Sequence, residues 1–162
     1  RLVAEGFTSD FTLRITPPGG GADGMAFVIQ NHAANAIGEA GGGIGYQLIP
    51  NSLAVEFDTW NNIGDPGTTH VAVHSLGTSP NSATSGHLGV ATLESFRDGQ
   101  AHPARVVYSP GVSCESFRAR NAMTSPSRKR PGKRGVSLVA APVPLPVSLL
   151  PAALGCGAEV VV

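Results

Sequence analysis

The chain has 162 residues, enough for one domain with a substantial hydrophobic core. Only 14% of it is charged, against 21 glycines and 13 prolines, which suits a turn-rich all-β protein and argues against a helical one. Formal net charge is zero, so the total gives no reason to expect a nucleic-acid partner or an acidic membrane surface.

The total hides an asymmetry. Residues 1–113 hold four Arg/Lys and nine Asp/Glu, a balance of −5, whereas residues 114–162 hold seven and two, a balance of +5. Both cysteines, Cys114 and Cys156, fall in the second part, and free thiols and a disulfide are equally supported. The chain opens Arg-Leu-Val with neither methionine nor an apolar leader, and reads as a fragment or a processed product.

In chain order, Glu5–Thr16 alternates: Phe7, Ser9, Phe11, Leu13 and Ile15 share one parity, and Thr8, Asp10, Thr12 and Arg14 the other. That is a half-buried strand, ended by the Pro17–Gly21 loop. Met25–Asn31 is a short, nearly continuous apolar run and reads as a buried strand. Gly41–Tyr46 is a glycine loop that lets backbone approach a neighbour closely, but it lacks the pattern of a phosphate-binding loop. Strands are expected at Ser52–Trp60, His70–Leu76, His87–Phe96 and His102–Tyr108. Asp98-Gly99 between the last two is a hairpin signal. Short strands at this spacing predict an all-β antiparallel sandwich.

After Gly111 the pattern changes. Cys114–Gly135 is basic and Ser/Pro-rich, and Val136–Val162 is rich in Pro, Ala, Val and Leu, without clear strand alternation. Residues 1–113 therefore read as the domain. Residues 114–162 read as a basic and then Pro/Ala/Val-rich tail, either disordered or a non-native continuation. Pro142, Pro144, Pro146 and Pro151 break any helix there repeatedly, so no membrane span is expected.

Chemistry concentrates in Asn51–His70, which carries Glu56, Asp58, Asn62, Asp65 and His70 in an otherwise charge-poor chain. In a strand, Glu56 and Asp58 share a face, with Cα atoms roughly 7 Å apart, while Val55 and Phe57 point the other way into a core. Oxygen ligands of this kind suit Ca²⁺, and carboxylates mixed with one imidazole suit Mn²⁺ or another transition metal. Two carboxylates at this separation also suit the nucleophile and acid of a retaining glycosidase. The plainest alternative is a solvated strand face with unrelated charges.

Ala22-Asp23-Gly24, Phe27–Asn31, Gly41–Tyr46, Asn51–Trp60, Asn62, Asp65-Pro66 and His70-Val71 together resemble the legume-type (L-type) lectins in order and approximate spacing. So do Gly6-Phe7-Thr8 with Phe11, and Asp98-Gly99 with His102, Tyr108 and Gly111, so the resemblance covers about residues 5–113. It implies a concanavalin A-like jelly-roll sandwich, incomplete here at the C-terminus, that binds Ca²⁺ and a transition metal, usually Mn²⁺. By residue type Glu56 and His70 would hold the transition metal, Asp58 and Asp65 would bridge both ions, and Asn62 with the Trp60 carbonyl would complete the Ca²⁺ shell. Sugar would meet the Asp23 carboxylate, an N–H of Gly42 or Gly43 and the Asn62 amide, with the Trp60 ring stacked on its apolar face. Ala22-Asp23 would be a cis peptide.

The chain departs from the family pattern in two places: a shorter loop between Asn62 and Asp65, and the tail where further strands are expected. The expected function is non-enzymatic, metal-dependent carbohydrate binding to glycans or glycoproteins, in a secreted or extracellular setting, with oligomeric state open. A glycoside hydrolase of related architecture would need a third carboxylate three residues after Asp58, where Asn61 stands. The altered tail motivates a third alternative, a sandwich interaction module that has lost sugar binding.

Overall fold

The computed structural model describes residues 5–16, 18, 20–93 and 95–109 in full, and the backbone of three further short strands within 120–161. The architecture is all-β, two antiparallel sheets forming a sandwich. One sheet has the order β2-β3-β4-β5, formed by Gly24–Gln30, Ser52–Asp58, His70–His74 and His87–Thr92. The other has the order β1-β6-β9-β8-β7, formed by Phe7–Leu13, His102–Tyr108, Ala158–Val161, Val136–Val139 and Arg120–Asn121. Among the described residues the sole helical element is a 3₁₀ turn at Gly41–Gly43, inside the expected glycine loop.

The alternation in β1 does what its parity dictates. Phe7, Phe11 and Leu13 turn inward, and Phe11 stacks on Phe27 at 5.8 Å and meets Phe57 edge-on at 5.9 Å. From the facing sheet come Ile29, Leu53, Val55, Phe57, Val71 and Val73, and β6 adds Ala104, Val106 and Tyr108. This is the main core, built from inward-facing positions of both sheets.

A second cluster lies on the outer face of the four-stranded sheet. Tyr46, Ile49 and Ala83 from the loops pack over Ala54, with Ala26, Val28, Ala36 and Ile44 around them. The covering explains why β3 is buried at every position. β2 is less buried than its apolar run suggests, with Met25 39% exposed, because it forms the sheet edge.

Asp98-Gly99 does not close a hairpin. β5 pairs with β4 and β6 pairs with β1, so the connector between them crosses from one sheet to the other. Gly99 has φ of 73°, as a tight turn with a left-handed residue needs, and the hairpin signal reported that local geometry without its strand partners. The tail expected at 114–162 lies outside the described residues except for the backbone of β7, β8 and β9. In that backbone β9 pairs with β6 in register from Tyr108↔Ala158 to Arg105↔Val161. No helix among the described residues is long and apolar enough to cross a membrane.

Candidate metal and ligand site

The site grows out of the end of β3. Glu56 and Asp58 project to the outer face, as their parity requires, and both are buried, with Glu56 only 1% exposed. A solvated strand face is thereby excluded. A buried carboxylate needs partners, and Glu56 has three. Its Oε2 accepts from the Tyr46 hydroxyl at 2.7 Å, and its Oε1 lies 3.1 Å from His70 Nε2 and 2.9 Å from His74 Nε2. Burial alone would raise its pKa, but the contacts from His70 and His74, the His74 charge and the Tyr46 hydroxyl pull it down to about 2. Burial, followed by the Glu56 charge and hydrogen bond, drives the Tyr46 pKa far above its ordinary value.

Asp58 behaves oppositely. Burial raises its pKa to about 6; the Trp60 N–H and the His70 charge oppose this, and the Asp65 and Glu56 charges add to it. Asp58 Oδ1 accepts the Trp60 N–H at 2.6 Å. Both ring nitrogens of His70 face oxygens, Nε2 toward Glu56 and Nδ1 toward Gly67 O at 3.2 Å, which suits the doubly protonated ring. Burial lowers the His70 pKa, but the hydrogen bond and charge of Glu56, with Asp58 and Asp65, outweigh it and the net shift is upward.

The short loop after Trp60 closes as a tight turn. Asp65 N–H donates to Asn62 O at 3.2 Å, and Asn62 N–H donates to Asp65 Oδ2 at 2.6 Å. The turn carries Asp65 back to the strand, where one ligand atom each from Asp58, Asp65 and His70 lie within 4.8 Å of one another. Glu56 is one step back, joined to the trio through His70.

Beside this cluster lies a second convergence. The Ala22-Asp23 peptide is cis, as expected. Asp23 O accepts both the Thr59 N–H at 2.9 Å and the Thr59 hydroxyl at 3.1 Å. Asp23 Oδ1 accepts from Asn62 Nδ2 at 3.3 Å. Gly42 abuts the same amide: a Cβ there would stand 2.8 Å from Asn62 Nδ2. Gly43 is buried and its N–H donates to Ala40 O at 3.3 Å, within the same turn. Asn62 Oδ1 is buried with no hydrogen-bond partner among the described residues. Trp60 is 48% exposed, with the Arg97 guanidinium 5.9 Å from its ring centroid.

Asp23 and Gly42 thus meet at the Asn62 amide, Asp58, Asp65 and His70 form the ligand-bearing trio with Glu56 joined through His70, and Trp60 follows on the same segment. Tyr46, Thr59, His74 and Arg97 were not singled out in the sequence. His74 had a signal, since it shares strand parity with His70; the others reach the site only through the folded loops. Asn61, where a hydrolase would place a carboxylate, is exposed.

The donor set fits hard cations. The buried, unpartnered Asn62 oxygen and the carboxylate–imidazole trio are groups that could hold a metal ion. A family model described as the legume lectin domain matches residues 3–122, three-quarters of the chain. That family is generally carbohydrate-binding and non-enzymatic, and typically holds metals. On this match, with the two-sheet fold and the cluster at the end of β3, the chain belongs to the legume lectin domain family.

Proposed function

We propose that this chain is a metal-dependent carbohydrate-binding domain without enzymatic activity, whose partners are glycans or glycoproteins. The observation that carries the reading is Asn62. Its Nδ2 reaches toward Asp23 and Gly42, while its Oδ1 is buried and unpartnered among the described residues. An amide so placed can present its N–H groups to a sugar while its oxygen turns to a cation.

In this reading Asn62 Oδ1, the Trp60 carbonyl, Asp58 and Asp65 hold Ca²⁺, and Glu56 and His70, with Asp58 and Asp65, hold Mn²⁺ or another transition metal. Bound there, the cations supply positive charge that offsets the carboxylate cluster and locks the Asn62 loop. The protein does the recognition. The Asp23 carboxylate accepts from sugar hydroxyls, the Asn62 amide and Gly42 N–H donate to them, and the exposed Trp60 ring packs on the apolar face of the pyranose. Thr59 supports this by holding the Asp23 carbonyl with two hydrogen bonds.

A glycan array run with Ca²⁺ and Mn²⁺, and again with EDTA, tests the proposal. Binding with the metals and none with EDTA is expected, without release of reducing sugar. Reducing-sugar release would replace the reading with a hydrolase. Absence of binding in both conditions would leave a sandwich that has lost its ligand.

A further inference from the structure

We infer that Arg97 is a positioning residue that holds Trp60 as a stacking platform with one open face; this rests on the carbohydrate-binding reading of the same site. Trp60 follows the last buried residue of the β3 segment, and its backbone is tied by the N–H bond to Asp58 Oδ1 at 2.6 Å. Nothing in that bond orients the indole, and an indole 48% exposed has rotamer freedom to lose when a sugar docks.

Arg97 restrains it. The guanidinium lies over the ring at 5.9 Å from the centroid, within reach of a cation–π attraction. The same group donates Nη1–H to Thr59 O at 2.7 Å. Thr59 in turn donates its N–H and its hydroxyl to Asp23 O. One buried threonine therefore connects the arginine over the aromatic ring to the loop that carries the sugar-facing carboxylate. A planar guanidinium can stack and donate at once, which an ammonium cannot do in the same geometry.

Arg97 is itself held. It sits in the connector that crosses from β5 to β6, where neighbouring Phe96 is buried and meets Phe57 edge-on at 6.4 Å and His102 at 6.2 Å. Arg97 N–H donates to Ser95 Oγ at 3.1 Å, and Leu93 N–H donates to Thr69 O at 3.1 Å. The crossing that the Asp98-Gly99 turn was not expected to make is what delivers this arginine to the sugar-facing side. With the guanidinium over one face of an indole that is 48% exposed, the proposal assigns the other face to a pyranose ring.

Trp60 is the only tryptophan of the chain, so intrinsic fluorescence reports on this ring alone. The experiment compares wild type, Arg97→Gln and Arg97→Lys as the full, metal-loaded chain. Acrylamide quenching is read first, then affinity for a high-mannose glycan and for a galactose-terminated glycan. Loss of a cation–π contact is expected to raise quenching and to weaken binding of whichever glycan wild type takes by about two- to fivefold. The lysine variant should fall between, because charge returns without the fork. Unchanged quenching in a folded Arg97→Gln protein overturns the inference, as does raised quenching with unchanged glycan affinity. Should the glutamine variant not fold, a lysine variant indistinguishable from wild type in quenching overturns it equally. Wild type that binds neither these glycans nor any other on an array refutes the carbohydrate reading instead, and the quenching comparison still decides whether Arg97 holds the ring.

Discussion

β3 is buried on both of its faces, and the two faces are held by opposite chemistry. Leu53, Val55 and Phe57 turn into the inter-sheet core with Phe11, Val71 and Val106. Ala54, Glu56 and Asp58 turn outward under the loops that carry Tyr46, Ile49 and Ala83. The inner face is stabilised by removal of apolar surface from water, a force indifferent to acid and to chelators. The outer face encloses two carboxylates beside Asp65 and two imidazoles, so its stability depends on protons and, in the proposed metal-bound state, on cations. One strand therefore anchors the fold with one side and carries the site with the other, and conditions that disturb the site should leave the sandwich standing.

The largest effect should come from the inner face. Phe57→Ala removes a ring in contact with Phe11 and Phe96 and is expected to cost about 3–5 kcal/mol by denaturant unfolding. A cost under about 1 kcal/mol would show that β3 does not centre the core. On the outer side, Asp23→Ala should weaken glycan binding roughly 100-fold, about 2.7 kcal/mol, with bound metal unchanged by elemental analysis. Loss of metal together with sugar would place Asp23 in the cation shell.

The pH responses of Asp58 and Glu56 should differ in sign. The raised Asp58 pKa means that the metal-free folded protein holds a proton there that the unfolded chain lacks. Its contribution favours the fold at low pH and is lost as pH rises through about 6. A cation must displace that proton, so Ca²⁺ affinity, followed by titration calorimetry, should fall by about tenfold per pH unit below pH 6, and transition-metal affinity should fall more steeply because the raised His70 must lose a proton too. The lowered Glu56 pKa works the other way: its stability is present above its ordinary value of 4.5 and is lost as pH falls toward about 2. Glu56→Gln should flatten that acid limb of metal-free unfolding curves, the smallest of these effects at neutral pH. An acid limb unchanged by the substitution would separate Glu56 from the histidines that face it.

Much of this was legible before the fold was known. The parity of Phe7, Phe11 and Leu13 set the inward side of β1, and the E-x-D-x-W-x-N run put Glu56 and Asp58 on one face with Asn62 in the loop beyond. These are local consequences of a two-residue period. What stayed hidden depends on which segments meet. Asp98-Gly99 specified a turn but not that its strands belong to different sheets. Tyr46 and His74 reach Glu56 from a loop and a neighbouring strand, and only a folded outer layer makes that carboxylate a three-partner site. Thr59 showed no signal because its role is a pair of hydrogen bonds to Asp23, 36 residues away. The backbone of β7, β8 and β9 likewise lay in sequence too rich in proline, alanine and basic residues to show an alternating pattern.

The most direct test of the central claim is a chelation and re-addition cycle, monitored by glycan binding and thermal unfolding together. Metal-loaded protein should bind glycan and, at a metal concentration 100 times Kd, be about 2.7 kcal/mol more stable than metal-free protein. EDTA should abolish glycan binding while the sandwich stays folded, and Ca²⁺ with Mn²⁺ should restore both binding and the stability increment. Glycan binding that persists undiminished after complete metal removal would contradict the account.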